Sequence, residues 1–290
     1  MKNGVFWDWV RYMATPIPRH LRAMGYGVEL SKLETRGNRC RAAWRHHVEC
    51  TRSLILEAVD RRTERGTVLI IGSGLLFDIP LAELSRRFRH VVLVDVFHRW
   101  IVRKEARRYP NVRLRQLDVT GVLKQVHAQA RGGQALESTE CKPDFFLNDD
   151  IDLVISVNIL SQLPVLPNSY ASRWIKKSNN GQIKAFSRRL VIKHLDWLAS
   201  FEGSVCLIAD LERLYCDGEK VVSREGSLWG VELPEGGREW LWDLAPRPEI
   251  KLNQDVRHRV IGYAEFPKQA WLGRHRTGAK AGPEPFAERG

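Results

Sequence analysis

The sequence predicts an α/β fold: a doubly wound, mostly parallel sheet with an antiparallel C-terminal hairpin, preceded by a helical extension. Three observations carry this reading. Short apolar runs at TVLII (67–71), VVLVD (91–95), DLVISV (152–157) and GSVCLIAD (203–210) have the length and content of strands buried on both faces. Helix-length segments lie between them, at 79–88, 98–108 and about 183–201. Beyond residue 210 the alternation stops. REWLWDL (238–244) and HRVIGYAEF (258–266) have no helical pattern between them, which reads as an antiparallel pair.

Taken in order, residues 1–66 read as a helical extension. The segment TPIPRH breaks it near Pro16 and Pro18, and a longer helix then runs from about Arg39 to Asp60. Ala43, His47, Cys50, Leu54 and Ala58 fall on one face of that helix. Trp7, Trp9, Tyr12, Trp44 and Leu54 make the extension too apolar for a free tail. The segment from Trp9 to Tyr26 is expected to cover the edge of the sheet as a lid. The sheet domain spans 67–271, with NVRLRQL (111–117) as its third strand. Turn signals CDG, REG and PEGG mark 218–237 as turns with short strands. Residues 272–290 are polar and rich in Gly, Pro and Arg, and are expected to be disordered.

The chain has 290 residues, 43% of them hydrophobic and 28% charged, enough to bury a sizeable core. Its net charge of +12 suits acidic partners such as nucleic acid or acidic metabolites. The basic residues are spread over several helices, however, as on solvated faces. Five cysteines without CxxC spacing argue against a zinc site, and no metal is expected. The odd count suits free thiols in a reducing cytosol, so a cytoplasmic location is expected. The opening MKNGVFWDWVRYM lacks a signal-peptide pattern, and no apolar run approaches bilayer-spanning length.

In a doubly wound sheet, ligands bind beyond the carboxyl ends of the strands at the switch point. The residues found there are informative. The first strand ends in IIGSGLLFD (70–78), where Gly72 and Gly74 allow a tight turn and close backbone approach. The second ends at Asp95, 23 residues after Gly72, where a carboxylate can accept both ribose hydroxyls of an adenosine. Asp118 follows the third strand and can accept an adenine amino group or cap the next helix. Asn158 and Ser161 lie just past the fourth strand, with Ser156 deeper in it. His46, His47, His98 and His194 are the acid–base candidates.

Residues 67–118 and 152–164 resemble motifs I to IV of class I S-adenosylmethionine (SAM)-dependent methyltransferases. The closing antiparallel pair looks like that family's sixth and seventh strands. Over roughly 67–266, the resemblance implies a seven-stranded Rossmann-like sheet, with SAM at the carboxyl edge of strands one to four. By position it implies that Gly72 and Gly74 face the methionine moiety, Asp95 the ribose and Asp118 the adenine. Ser73, Val96 and Val119 adjoin them. Asn158 is implied near the sulfonium, as cofactor contact and candidate catalytic residue. Two positions depart from the family: Ile70 stands where an acidic residue is frequent, and Leu76 where the third glycine falls. No Asn-Pro-Pro-Tyr-type element follows the fourth strand, which argues against DNA-adenine or protein-glutamine methylation. An NAD-binding unit is disfavoured by Phe77 at the last position of GxGxxG and by the antiparallel ending.

The function so implied is in-line methyl transfer from SAM to a small or medium-sized molecule. RNA methylation, supported by charge and tryptophan content, is the alternative. A degenerate SAM- or nucleoside-binding module without catalysis is a third reading. The substrate, the methylated atom and the oligomeric state are not legible in the sequence.

Overall fold

The computed structural model describes residues 17–134, 136, 141, 145–147, 149–175 and 180–277. Three helices come first: α1 (Arg19–Met24), α2 (Tyr26–Arg39) and α3 (Arg41–Asp60). Gly25, at φ +91°, splits α1 from α2 in the left-handed region that favours glycine. The sheet domain then runs β1 (Thr67–Ile71), α4 (Leu81–Arg87), β2 (His90–Asp95), α5 (Trp100–Ala106), β3 (Val112–Gln116), α6 (Leu123–Arg131) and β4 (Leu153–Val157). It continues with α7 (Val165–Trp174), α8 (Asn180–Ser200), β5 (Ser204–Asp217), β6 (Lys220–Gly226), β7 (Arg238–Ala245), β8 (Asp255–Tyr263) and α9 (Lys268–Thr277).

The sheet order is β3-β2-β1-β4-β5-β8-β7, with β6 paired to β5. The strands β3, β2, β1, β4 and β5 are parallel neighbours, whereas β8 and β7 run antiparallel. The chain leaves β1 toward β2 on one side and returns to β4 on the other, so the switch point lies between β1 and β4. This is a doubly wound, Rossmann-like sheet closed by an antiparallel pair.

Alternation along β1 shows how the sheet is covered. Val68 and Ile70 point into a core with Leu54 and Ile55 of α3, Leu84 of α4 and Val102 of α5. Leu69 and Ile71 point into the opposite core, with Val191, Leu195 and Leu198 of α8 and Trp271 of α9. Ile70 is fully buried there, so its departure from the family pattern is a packing choice.

The sheet has eight strands where seven are expected. The difference arises because β5 does not stop at Asp210. Its first half pairs with β4, and its second half continues past the β4 terminus to pair with β6. Every residue of β6 is exposed, so the strand carries no apolar signature to betray it. Two boundaries also shift. The helix after the first strand starts at Leu81 rather than at 79, because Pro80 precedes its first turn. The last helix continues through Thr277, past the expected boundary at 271, and residues 278–290 lie outside the described residues.

Candidate active site

A cavity of about 660 Å³ opens at the carboxyl edge of the parallel strands. Gly72, Ser73, Gly74, Asp95, Val96, Asp118, Val119 and Asn158 all line it. Residues predicted from four separate strand ends therefore meet in one place.

Backbone conformation shapes the first loop. Gly72 and Gly74 have φ of +76° and +49°. Leu76, where the family has glycine, takes the same left-handed region at φ +62°. A leucine held there costs about 1–2 kcal/mol, which the surrounding packing must supply.

Asp95 holds this loop from the end of β2. Its Oδ2 accepts the Gly74 N–H at 2.9 Å, and its Oδ1 accepts the Val96 N–H at 2.8 Å. Burial pushes its carboxyl up to about 6, against the pull of those two amide donors. A carboxylate under that pressure gains from further donors. Asp118 is committed differently: Oδ1 accepts both the N–H and hydroxyl of Thr120, and Oδ2 accepts the Leu123 N–H at 2.8 Å. It caps the start of α6 while presenting itself to the cavity.

Asn158 sits in the left-handed region at φ +48°, with its N–H donating to Ile208 O at 2.9 Å. Its Nδ2 lies 3.1 Å from His47 Nε2 and donates to Asp78 Oδ2 at 3.2 Å. His47 comes from α3, is 2% exposed and stacks on Trp242 at 4.0 Å between ring centroids. The Trp240 indole donates to His47 Nδ1 at 3.0 Å. An indole only donates, so the neutral ring carries its proton on Nε2, which lies 3.8 Å from Asp78 Oδ2. Asn158 Nδ2 is the donor that reaches Asp78 Oδ2; His47 Nε2, at 3.8 Å, stays beyond hydrogen-bond reach. Trp240→Phe would strand the buried Nδ1 and is expected to cost about 1–3 kcal/mol, read by urea denaturation.

Of the other histidines, His46 faces solvent beside Cys50, and His98 is buried against the Arg115 carbonyl away from the cavity. His194 pairs with Ser156 beneath the sheet at 3.2 Å, and burial pushes it down to about 3. These three have packing or surface roles. Ser161 does reach the cavity, where its hydroxyl donates to Asp210 Oδ2 at 2.8 Å.

The extension divides its work. The helix α3 lies on β7 and β8: the Trp44 indole donates to Leu244 O at 2.9 Å, and Leu54 packs against Gly262. The helix α2 instead lies over the cavity, contributing Tyr26, Glu29, Leu30, Leu33 and Arg36 to its lining. Burial pushes the Tyr26 hydroxyl well above the ordinary phenol value, and the nearby Asp118 and Asp95 carboxylates add to the shift. Arg99, buried after β2, ties α2 down through Ser31 Oγ at 2.6 Å and Glu34 at 2.9 Å. Gly37 lets α2 approach closely; a Cβ there would stand 2.6 Å from the Phe77 ring. Trp9 lies outside the described residues.

Sequence reasoning missed Asp78, Asp210, Arg213, Trp240, Trp242 and His258. Asp210 was within reach of the rule used for Asp95, since it too closes an apolar strand. The rest come from the turn before α4 and from the β5–β8 region, where no spacing ties them to a motif.

No family model and no curated protein matches the chain. Among solved structures, it is similar to the DhpI–SAM–HEP complex, with 16% identity, 91% of each chain covered and a TM-score of 0.36. It is also similar to Burkholderia thailandensis 1,6-didemethyltoxoflavin-N1-methyltransferase, with 12% identity, 82% of this chain and 88% of that one covered, and a TM-score of 0.38. An rRNA methylase from Streptococcus thermophilus shares 10% identity over 74% of this chain and 94% of its own, with a TM-score of 0.34. At these values the likenesses add nothing to what the strand order itself shows. No described helix is long and apolar enough to cross a membrane.

Proposed function

We propose that the chain is a SAM-dependent methyltransferase acting on a small molecule. The observation that carries this is the convergence of the Gly72–Gly74 loop, Asp95, Asp118 and Asn158 on one cavity at the β1/β4 switch point. Asp95 would accept the ribose hydroxyls, Asp118 the adenine amino group, and the glycine loop would face the methionine moiety. Asn158, held by Asp78, would position the reacting groups near the sulfonium. SAM supplies an already activated methyl group, so holding donor and acceptor in line provides much of the rate. Residues 1–66 would act as the lid over the 67–271 domain, with α2 excluding water from the site.

The charge of the cavity supports the small-molecule reading over RNA. The chain is +12, yet the lining holds six carboxylates (Glu29, Asp78, Asp95, Asp118, Asp210, Glu225) against three cations (Lys32, Arg36, Arg213). A polyanion gains nothing from such a wall. Isothermal titration with SAM and S-adenosylhomocysteine (SAH), with NAD as control, tests the cofactor. One-to-one SAH binding without NAD binding is expected, and no heat from either SAM or SAH would sink the proposal. Transfer of a radiolabelled methyl group from SAM distinguishes an enzyme from a catalytically silent binding module. The SAH affinity of the Arg99→Met variant is expected to fall severalfold as α2 loosens. Unchanged affinity and cofactor exchange would show that α2 is no lid.

A further inference from the structure

Above the carboxyl edge, the cavity has a second polar centre. The β5 strand continues beyond Ile208 as a wall over the end of β4, and Asp210 lies at its base. Asp210 is 2% exposed. Its Oδ2 accepts the Ser161 hydroxyl at 2.8 Å and lies 3.3 Å from His258 Nδ1. Its Oδ1 is buried with no hydrogen-bond partner. Arg213 Nε donates to His258 Nε2 at 3.2 Å, which leaves the neutral ring's proton on Nδ1, facing Asp210. Burial pushes the Asp210 carboxyl up, but the His258 ring, the Ser161 hydroxyl and the more distant His47 outweigh it and hold it below its ordinary value.

A buried carboxylate oxygen without a donor is costly unless a ligand supplies one, and a cationic donor offsets most of that cost. The surroundings favour a cation. Glu225 and Asp78 line the same cavity and add negative charge to it. Arg213, the cation nearest this centre, is turned to His258.

We propose that Asp210 is the docking point for the protonated amine of the methyl acceptor. The inference rests on the methyltransferase reading and names its substrate class: a basic amine, in preference to a phenol or carboxylic acid. An ammonium has no lone pair, so one N–H proton must leave to solvent before transfer, while Asp210 stays ionised and its Oδ1 accepts another N–H and holds the amine in place. The freed nitrogen pair then attacks the SAM methyl carbon, forming the N–C bond as the C–S bond breaks. The bonding pair stays on sulfur, giving SAH and a methylated ammonium that remains paired with ionised Asp210 until release.

The test uses the full chain loaded with SAH and titrates three probes sharing a ring: tyramine, 4-ethylphenol and 3-(4-hydroxyphenyl)propanoate. Tyramine is expected to bind the wild type at least about tenfold more tightly than either other probe. Asp210→Asn is expected to bring tyramine down to the 4-ethylphenol level while SAH affinity stays unchanged; Asp210→Glu should keep part of the preference. Equal binding of the three probes to the wild type, absence of tyramine binding at millimolar concentration, or an unaltered preference in folded Asp210→Asn would each overturn the proposal. The wild-type comparison stands even if a variant fails to fold. Failure of SAH itself to bind would instead remove the methyltransferase reading.

Discussion

Asp95→Ala is expected to weaken SAM binding by about 1.5–3 kcal/mol, roughly tenfold to a hundredfold, the scale of a hydrogen bond to a charged acceptor. The structure adds a second contribution to the loss, because the Gly74 N–H would also lose its acceptor and the loop its tether. Asp95→Asn separates the two: one oxygen still accepts, but the charge is gone. The same carboxylate sets a pH dependence. Burial raises Asp95 to about 6, so below that pH the free site holds a neutral carboxyl. Ribose hydroxyls favour the ionised acceptor, and the proton must leave before both can donate to it. Affinity is therefore expected to be full above about pH 6 and to fall by up to about tenfold per pH unit below it, as one-proton linkage requires. Calorimetry across pH 5 to 8 checks this. A flat profile in the wild type, or an unchanged affinity in Asp95→Ala, would remove the ribose assignment.

Gly72→Val is expected to destabilise the fold itself. From sequence, that substitution should spare the fold and block the ligand. The structure moves the effect. A Cβ at Gly72 would stand 2.9 Å from the Val157 carbonyl oxygen and 2.9 Å from Ile159 Cβ, and φ is +76°. The carbonyl is backbone and cannot step aside. Overpacking and a left-handed β-branched residue together cost about 2–5 kcal/mol. That lowers the melting temperature on the order of 10 °C, measured by circular dichroism. Gly74 is the position that tests the cradle. Its Cβ would meet nothing nearer than the Gly72 carbonyl oxygen at 3.8 Å, so the space beside it is open. Gly74→Val should therefore fold more nearly normally yet bind SAM poorly. Normal SAM affinity in Gly74→Val would mean that the loop is not the cofactor cradle.

The parallel half of the sheet was legible because β1, β2 and β4 are buried on both faces and read as unbroken apolar runs. Their ends then located Gly72, Asp95 and Asn158 by topology alone. What was not legible has physical reasons. The β6 strand is exposed along its whole length, so its residues carry no period. The helix α7 contains Pro167, Asn168 and Ser169 and lacks a clean apolar face. The Asp78–Asn158–His47–Trp240 chain joins four separate elements, and only the folded sheet brings them together. The extension was legible as apolar and helical, but not its division into α3 on the β7–β8 face and α2, which lies mostly beyond the Trp9–Tyr26 segment expected at the edge, along the cavity.

The strands at the margins of the sheet have a colloidal consequence. In the described sheet, β3, β6 and β7 each pair on one side only, leaving backbone amides and carbonyls that could template a second molecule. Each of these margins carries exposed charge: Arg113 and Arg115 on β3, Lys220, Arg224 and Glu225 on β6, and Arg238 and Glu239 on β7. Two molecules meeting along β3 would bring arginines against arginines in a chain already at +12, whereas β6 and β7 set carboxylates (Glu225; Glu239 and Asp243) beside their basic residues. Part of the basic excess that first suggests nucleic acid thus lies along β3, and neutralising Arg113 and Arg115 is expected to promote self-association in concentrated solution, read by light scattering, before it changes any ligand affinity.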